Sequence, residues 1–222
     1  CSGLVGSEMC IRDSRLLRTH WREAKLPEQF QIIDSDDQTR VIRRTLRAMN
    51  LDENEWPTKE CQWFINAQKD AGLRPSHIDD GGDQGLRTLI DVYQNYEQNC
   101  ERSGLVDFAE LLLRAHELWR ETPGLLRHYQ ERFWHVLVDE FQDTNTIQYA
   151  WLRQLVGNDG NLFVVGDDDQ SIYSWRGAQV ENMQRFQRDY PDHTIVRLEQ
   201  NYRSTSTILD AANALIANNP SR

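Results

Sequence analysis

The chain is poor in lysine, and this shortage removes one familiar kind of nucleotide site. Only three of its 25 basic residues are lysines, namely Lys25, Lys59 and Lys69, and none of them follows a glycine. The 222 residues therefore contain no G-x-x-x-x-G-K-[ST] sequence, the loop whose backbone and lysine bind nucleotide phosphates. Any phosphate chemistry in this chain has to depend on other residues.

The sequence also lacks paired cysteines, long apolar runs and a secretory signal. Its four cysteines are widely spaced and include no C-x-x-C pair, so neither a zinc site nor a disulfide framework is indicated. No apolar stretch approaches the roughly 20 residues that span a bilayer, and no signal-peptide pattern opens the chain. We therefore expect a reducing, cytoplasmic setting and no membrane partner.

Positive charge is scarce as well. The net charge of −10 excludes the broad basic surface that is typical of many nucleic-acid-binding proteins. Any contact with nucleic acid would have to be local, through aromatic side chains and a few arginines. With 39% hydrophobic residues, the chain can still form the core of one large or two small domains.

A short apolar run that ends in two carboxylates is the most informative segment. It is Trp-His-Val-Leu-Val-Asp-Glu-Phe-Gln-Asp, residues 134–143, and its β-branched part predicts a strand buried on both faces of a parallel sheet. Asp139 and Glu140 would then lie at the carboxyl end of the strand, where α/β sheets bind ligands. Asp139 could hold a divalent cation, and Glu140 could orient or deprotonate a water molecule. The alternative is that both are loop acids or part of a helix cap.

Two further segments repeat this pattern. Residues 162–165 form an apolar run followed by Gly166-Asp167-Asp168-Asp169-Gln170, and residues 194–198 form another followed by Glu199-Gln200-Asn201-Tyr202-Arg203-Ser204. Helical patterns separate the three runs, which predicts a β-α-β-α-β-α series. In a parallel sheet the three polar strand ends would converge on one edge.

The first half of the chain is predicted to be mainly helical. The run Asp-Ser-Asp-Asp at residues 34–37 can cap a helix at residues 36–49, and further helical patterns end near Gly72 and Cys100. Asp107 can cap the next helix, with a glutamate three residues later completing a capping box. Residues 1–14 show no useful periodicity, and we interpret them as a non-native adapter segment for which we predict no structure.

Three motifs in the second half resemble those of a known enzyme family. They are Asp-Glu-Phe-Gln-Asp at 139–143, Val-Gly-Asp-Asp-Asp-Gln-Ser-Ile-Tyr-Ser-Trp-Arg-Gly-Ala at 165–178 and Arg-Leu-Glu-Gln-Asn-Tyr-Arg-Ser at 197–204. In this order they resemble motifs II, III and IV of superfamily 1 DNA helicases, in the subgroup of UvrD (DNA helicase II), Rep and PcrA. The resemblance covers about residues 15–222.

The resemblance implies an α/β fold. It would contain an incomplete RecA-like parallel sheet with helices on both faces and a mainly helical inserted subdomain. Residues 15–103 correspond to the helical insertion 1B, and residues 104–222 correspond to part of the motor domain 1A. The family's Walker A loop, second motor domain and motifs V and VI are not among these residues. We therefore expect a fragment, truncated at both ends, that is inactive by itself.

The same resemblance implies that five residues act on ATP and Mg²⁺. Asp139 would hold the Mg²⁺ ion, and Glu140 would be the base or water-orienting residue. Gln170 would sense the γ-phosphate, Arg203 would act as an arginine finger, and Tyr202 would stack on the adenine base. The alternatives are a polar turn residue for Gln170, a surface ion pair for Arg203 and a packing role for Tyr202.

The motif at 165–178 resembles a platform for single-stranded DNA. Tyr173 and Trp175 would stack on bases, which tolerates any base sequence, and Arg176 would assist them. Phe108 is a further stacking candidate, although a core position under the preceding helix cap is the alternative. The acidic run 167–169 is expected to shape its loop rather than to bind a second metal ion.

The intact enzyme implied by the resemblance is an ATP-dependent helicase that moves 3′→5′ on single-stranded DNA in DNA repair or replication. Its partners would be single-stranded DNA, duplex junctions and DNA repair proteins, at the nucleoid in a bacterial cytoplasm. Two alternatives remain, the motor of a helicase-nuclease and a degenerate nucleic-acid-binding module that does not hydrolyse ATP. The presence of Asp139, Glu140, Gln170 and Arg203 argues against the second alternative.

Overall fold

The computed structural model describes the backbone of residues 4–171 and 181–218, and the side chains of these residues except at 4–11 and 168. The described part is mixed α/β, with two pairs of short parallel strands among many helices. No described helix is both long and apolar enough to cross a bilayer. The helices are α1 (Leu4–Thr19), α2 (Ser35–Ala48), α3 (Thr58–Asp70), α4 (Gln84–Ser103), α5 (Phe108–Glu121), α6 (Pro123–Arg132), α7 (Thr146–Val156), α8 (Glu181–Asp189) and α9 (Ser206–Ile216). The strands are β1 (Gln31–Ile32), β2 (Leu105–Val106), β3 (His135–Val138) and β4 (Asn161–Val164).

Helices α2, α3 and α4 pack together and have a hydrophobic interior of their own. The predicted cap within residues 34–37 is Asp34, which accepts a hydrogen bond from the amide of Asp37 at 2.8 Å. Gly104 ends α4 in a left-handed conformation, which a glycine adopts without strain. The buried side chains of this interior are Ile42, Leu46, Cys61, Phe64, Ile65, Val92, Tyr93, Tyr96 and Cys100.

The short parallel pair of β1 and β2, which the sequence does not predict, leads into α5. Asp107 caps α5, as predicted, by accepting a hydrogen bond from the amide of Glu110 at 2.8 Å. The other half of the predicted capping box does not form, because the Glu110 carboxylate is engaged elsewhere. It forms ion pairs with Lys69, Arg74 and Arg114.

Helices α1, α5, α6 and α7 form the main core beside β3 and β4. Trp119 of α5 stacks on Trp151 of α7 with ring centroids 4.3 Å apart, and both rings are buried. Arg12 of α1 lies over the Trp151 ring at 3.7 Å, and Asp13 is buried beside it. Residues 4–14, which show no useful periodicity in the sequence, are part of α1. Their assignment as a non-native adapter stays a prediction.

Strands β3 and β4 are parallel neighbours, with Leu137 opposite Phe163. On one face of this sheet, Val136, Val138 and Val164 pack against the main core. On the other face, Leu137 is 74% exposed and Phe163 is 61% exposed. The prediction that the first strand is buried on both faces is therefore wrong here, because no element of the described chain covers the second face.

The third predicted strand does not form. Residues 194–198 have no regular secondary structure, and Ile195, Val196 and Leu198 are exposed. A strand needs a hydrogen-bonded neighbour, and in the described chain the segment pairs with neither β3 nor β4, which form a two-stranded sheet. Two of the three predicted polar strand ends are therefore side by side on a sheet.

Candidate functional site

Asp139 and Glu140 follow directly after β3, and both side chains are exposed. Glu140 has a left-handed backbone, with φ 51° and ψ 45°, which is uncommon for a residue other than glycine and is often found at functional sites. Its amide donates a hydrogen bond to Oδ1 of Asp139 at 3.0 Å. This sharp turn ends the strand and keeps both carboxylates at the carboxyl edge of the sheet.

Gln142 connects Glu140 to the loop after β4, a role that the sequence patterns do not indicate. Nε2 of Gln142 donates to Oε2 of Glu140 at 2.7 Å, and Oε1 accepts a hydrogen bond from the amide of Asp167 at 3.1 Å. The side chain is only 1% exposed. A Cβ atom at Gly166 would lie 2.7 Å from Oε1 of Gln142, so a larger residue at this position would displace the Gln142 side chain. The only indication of this role in the sequence is that Gln142 lies two residues after Glu140.

Asp167 holds the loop after β4 in a tight turn. Its Oδ2 accepts a hydrogen bond from the side-chain amide of Gln170 at 2.8 Å, and its Oδ1 accepts one from the amide of Asp169 at 3.0 Å. Asp167 therefore shapes its loop, as the sequence predicts. A continuous series of hydrogen bonds thus connects Glu140 to Gln170 through the side chain of Gln142 and then through the amide and carboxylate of Asp167.

Gln170 also faces the segment that follows the third predicted strand. An open cavity of about 510 Å³ is lined by Gln170, Gln200, Asn201, Tyr202 and Arg203. The side chain of Asn201 shapes this segment, because its Oδ1 accepts hydrogen bonds of 2.9 Å from the amides of Arg203 and of the next residue. Tyr202 is 86% exposed. The structure thus brings three of the predicted site residues to one cavity, even though the predicted strand before them is absent.

Of the four predicted DNA-binding residues, only Phe108 is among the described residues. Tyr173, Trp175 and Arg176 lie outside the described residues. Phe108 is the first residue of α5, is partly buried, and packs against the main core. The core position that was the alternative for Phe108 is therefore favoured by its contacts.

Asp139 has the chemistry of a magnesium ligand. Within the described residues, no group of three or more His, Cys, Asp or Glu side chains is arranged to hold a metal ion. Mg²⁺ in nucleotide enzymes usually takes one or two carboxylates and completes its shell with waters and substrate phosphates. The exposed carboxylate of Asp139 fits such a site, in which the protein provides few of the ligands.

Asn145, which lies shortly after Asp139 and Glu140, connects this part of the chain to helix α3. It caps α7 through a capping box, in which its Oδ1 accepts a hydrogen bond from the amide of Gln148 at 2.9 Å. Nδ2 of Asn145 donates to Oδ1 of Asp70, the last residue of α3, at 3.0 Å. Burial, together with the negative charge of Asp107, raises the pKa of Asp70 to about 7. Helix α3 thus contacts the chain shortly after the acidic pair.

A family model and several curated relatives match the chain. The model for the UvrD/REP helicase N-terminal domain matches residues 10–191. DNA helicase II of Escherichia coli (strain K12) is 62% identical over 208 residues, and DNA helicase II of Haemophilus influenzae is 56% identical over 208 residues. The ATP-dependent DNA helicase PcrA of Leuconostoc citreum is 40% identical over 209 residues. Each alignment covers 94% of this chain but only 28–29% of the relative, so the chain spans less than a third of these proteins.

Proposed function

Because the chain belongs to the UvrD/REP helicase N-terminal domain family, we propose that it supplies part of an ATP-driven motor that moves 3′→5′ along single-stranded DNA. The observation that carries this proposal is the series of hydrogen bonds from Glu140 through Gln142 and Asp167 to Gln170. These residues lie at the carboxyl ends of the neighbouring parallel strands β3 and β4, the position at which α/β proteins bind nucleotides.

Glu140 orients or deprotonates the water molecule that attacks the γ-phosphate. The hydrogen bond from Gln142 fixes the carboxylate before the water binds, so that little reorientation is needed during the reaction. Asp139 holds Mg²⁺, which when bound neutralises the charge of the phosphates. The left-handed turn at Glu140 keeps the two carboxylates at adjacent positions, so both can act on one bound ATP.

Gln170 and Arg203 bind the transferred phosphate, and Tyr202 stacks on the adenine base. The cavity that the three residues share supports this assignment. An amide can donate to a phosphate oxygen while accepting from water, and a guanidinium can bind two phosphate oxygens at once. An arginine in this position increases the hydrolysis rate by roughly 10³–10⁵-fold in well-studied motors.

The DNA partner is single-stranded DNA beside a duplex junction, in DNA repair or replication in a bacterial cytoplasm, with DNA repair proteins as further partners. Tyr173, Trp175 and Arg176 form the stacking platform. Stacking on an aromatic side chain stabilises the complex by roughly 1–3 kcal/mol per base and does not depend on base identity. A chain with a net charge of −10 can bind DNA in this way without a broad basic surface.

Unwinding by the full-length protein tests this proposal. Duplexes that carry a single-stranded tail on either the 3′ or the 5′ side are mixed with the protein, ATP and Mg²⁺, and both strand separation and ATP hydrolysis are followed. We expect separation of the 3′-tailed duplex and ATP hydrolysis that single-stranded DNA stimulates. Separation of only the 5′-tailed duplex would contradict the direction, and DNA binding without any ATP hydrolysis would support a non-hydrolysing binding module instead.

A further inference from the structure

Asn182, the second residue of α8, is polar and yet completely buried. Its Nδ2 donates to the carbonyl oxygen of Thr144 at 2.8 Å. The same nitrogen lies 3.2 Å from Oγ1 of Thr144 and 3.3 Å from the carbonyl oxygen of Asn145. One amide group thus holds α8 against the turn that connects the acidic pair to α7.

Apolar and polar contacts continue from this turn toward Glu140. Oγ1 of Thr144 donates to the carbonyl oxygen of Phe141 at 2.7 Å, and Phe141 directly follows Glu140 in the chain. The buried ring of Phe141 meets Phe186 of α8 edge to face, with centroids 5.8 Å apart. A displacement of α8 would therefore act on Phe141 both through Thr144 and through direct ring contact.

Helix α8 is also held along its length. Near its end, Oδ2 of Asp189 accepts a hydrogen bond of 2.7 Å from the hydroxyl of Tyr149 and lies 3.1 Å from Nη1 of Arg153. Both partners belong to α7, so α8 packs on α7 as a unit. In the sequence, α8 begins five residues after Arg176, the last of the residues proposed to bind DNA.

We propose that Asn182 is a positioning residue that couples DNA binding to ATP hydrolysis, by holding α8 on the turn beside Glu140. This inference rests on the proposed function. Its physical basis is that the side-chain amide of Asn182 donates to the carbonyl oxygens of Thr144 and Asn145. Because these residues are buried, water has little access to replace the lost donor. Loss of this donor loosens the connection while leaving the residues that contact ATP in place.

The substitution Asn182→Asp in the full-length protein tests the inference. A carboxylate of the same shape replaces the donor with an acceptor, which the carbonyl oxygens of Thr144 and Asn145 repel. ATP hydrolysis is measured with and without single-stranded DNA, and DNA affinity is measured separately. We expect the DNA-stimulated kcat to fall about tenfold, a magnitude typical of coupling between two sites, with the DNA-free rate and the DNA affinity changed by less than about twofold.

The control is Asn95→Asp, because the exposed amide of Asn95 also donates to a backbone carbonyl at 2.8 Å, that of Asp91. We expect this variant to keep the wild-type stimulation. If Asn182→Asp does not fold, Asn182→Ala removes the donor without adding a charge. The ratio of the DNA-stimulated rate to the DNA-free rate of ATP hydrolysis is then measured for this variant.

Two outcomes would overturn the inference, and a third would overturn the proposed function. Unchanged DNA stimulation in the Asn182 variants would show that the amide does not couple the two events. An equal loss of the DNA-free and DNA-stimulated rates would show a purely structural role. Absence of DNA-stimulated hydrolysis in the wild-type protein would instead overturn the proposed function on which the inference rests.

Discussion

Nε2 of Gln142 donates a 2.7 Å hydrogen bond to Oε2 of Glu140, and the same side chain accepts a hydrogen bond from the loop after β4. One buried amide therefore connects the predicted catalytic carboxylate to the loop that carries Gln170. The orientation of Glu140 depends on the position of that loop, and through it on what the loop binds.

Replacing Gln142 with leucine is expected to lower kcat for ATP hydrolysis by the full-length protein about 10–100-fold, since a hydrogen bond to a charged group contributes roughly 1.5–3 kcal/mol. KM for ATP should change little, because Gln142 is buried behind Glu140. The control is Gln130→Leu, which removes a partly buried amide that donates to the carbonyl of Gln154 on α7. A wild-type kcat in the Gln142 variant would show that this hydrogen bond does not position Glu140.

Buried ion pairs join Lys69 of α3 to Asp107 and Glu110 at the start of α5, and their loss is expected to destabilise the fold. Nζ of Lys69 lies 2.6 Å from Oδ2 of Asp107 and 3.0 Å from Oε2 of Glu110, and Lys69 is 2% exposed. Lys69→Met leaves two buried carboxylates without this partner, which is expected to cost about 3–5 kcal/mol of unfolding free energy. Chemical denaturation measures the change, with the exposed Lys59→Met as the control. Equal unfolding midpoints for the two variants would contradict this prediction.

Asp70 is expected to make the stability of the fold depend on pH. Its pKa in the folded protein is raised to about 7, first by burial and then by the charge of Asp107, whereas an unfolded aspartate titrates near about 3.9. The folded state therefore binds the proton more tightly. The contribution of Asp70 to the free energy of unfolding is fully present below about pH 4 and is lost as the pH rises through about 7.

Asp70→Asn cannot ionise, so the variant should gain thermal stability relative to the wild type as the pH rises from about 5 to about 8. Melting temperatures of both proteins across this range provide the measurement, and the exposed Asp91→Asn is the control. The prediction fails if the difference in melting temperature between the Asp70 variant and the wild type does not change with pH.

The 222-residue chain by itself is expected to hydrolyse no ATP, because it contains no G-x-x-x-x-G-K-[ST] loop to bind the β- and γ-phosphates. Phosphate release is measured with a purified sample, Mg²⁺ and single-stranded DNA. Glu140→Gln in the same chain is the control for a contaminating ATPase. Hydrolysis by the chain that disappears in this control would contradict the prediction.

Two helix caps and two strands, which depend mainly on neighbours in the sequence, are predicted correctly. Asp34 and Asp107 cap the helices expected after them, because a cap is determined by residues within one turn. The apolar runs before Asp139 and Gly166 form β3 and β4 and pair in parallel, as their pattern indicates. The acidic and amide residues after them therefore lie together at one edge of the sheet.

Features that depend on distant contacts could not be predicted in this way. The role of Gln142 requires the loop after β4 to lie beside the turn after β3, and the contact of Asn145 with Asp70 requires α3 to reach α7. Residues 194–198 have the composition of a strand, but strand formation depends on pairing with a neighbour, and they pair with none of the described strands. Burial on one face of β3 likewise depends on which elements cover the sheet.

Replacing Glu140 by glutamine in the full-length protein tests the central claim most directly. The amide has nearly the same size but cannot act as a base, so ATP hydrolysis is expected to fall at least about 100-fold. Binding of single-stranded DNA, measured by fluorescence anisotropy, is expected to stay at the wild-type affinity, and Glu131→Gln, an exposed change on α6, is the control. Hydrolysis at the wild-type rate in the Glu140 variant would contradict the assignment of Glu140 and the function built on it.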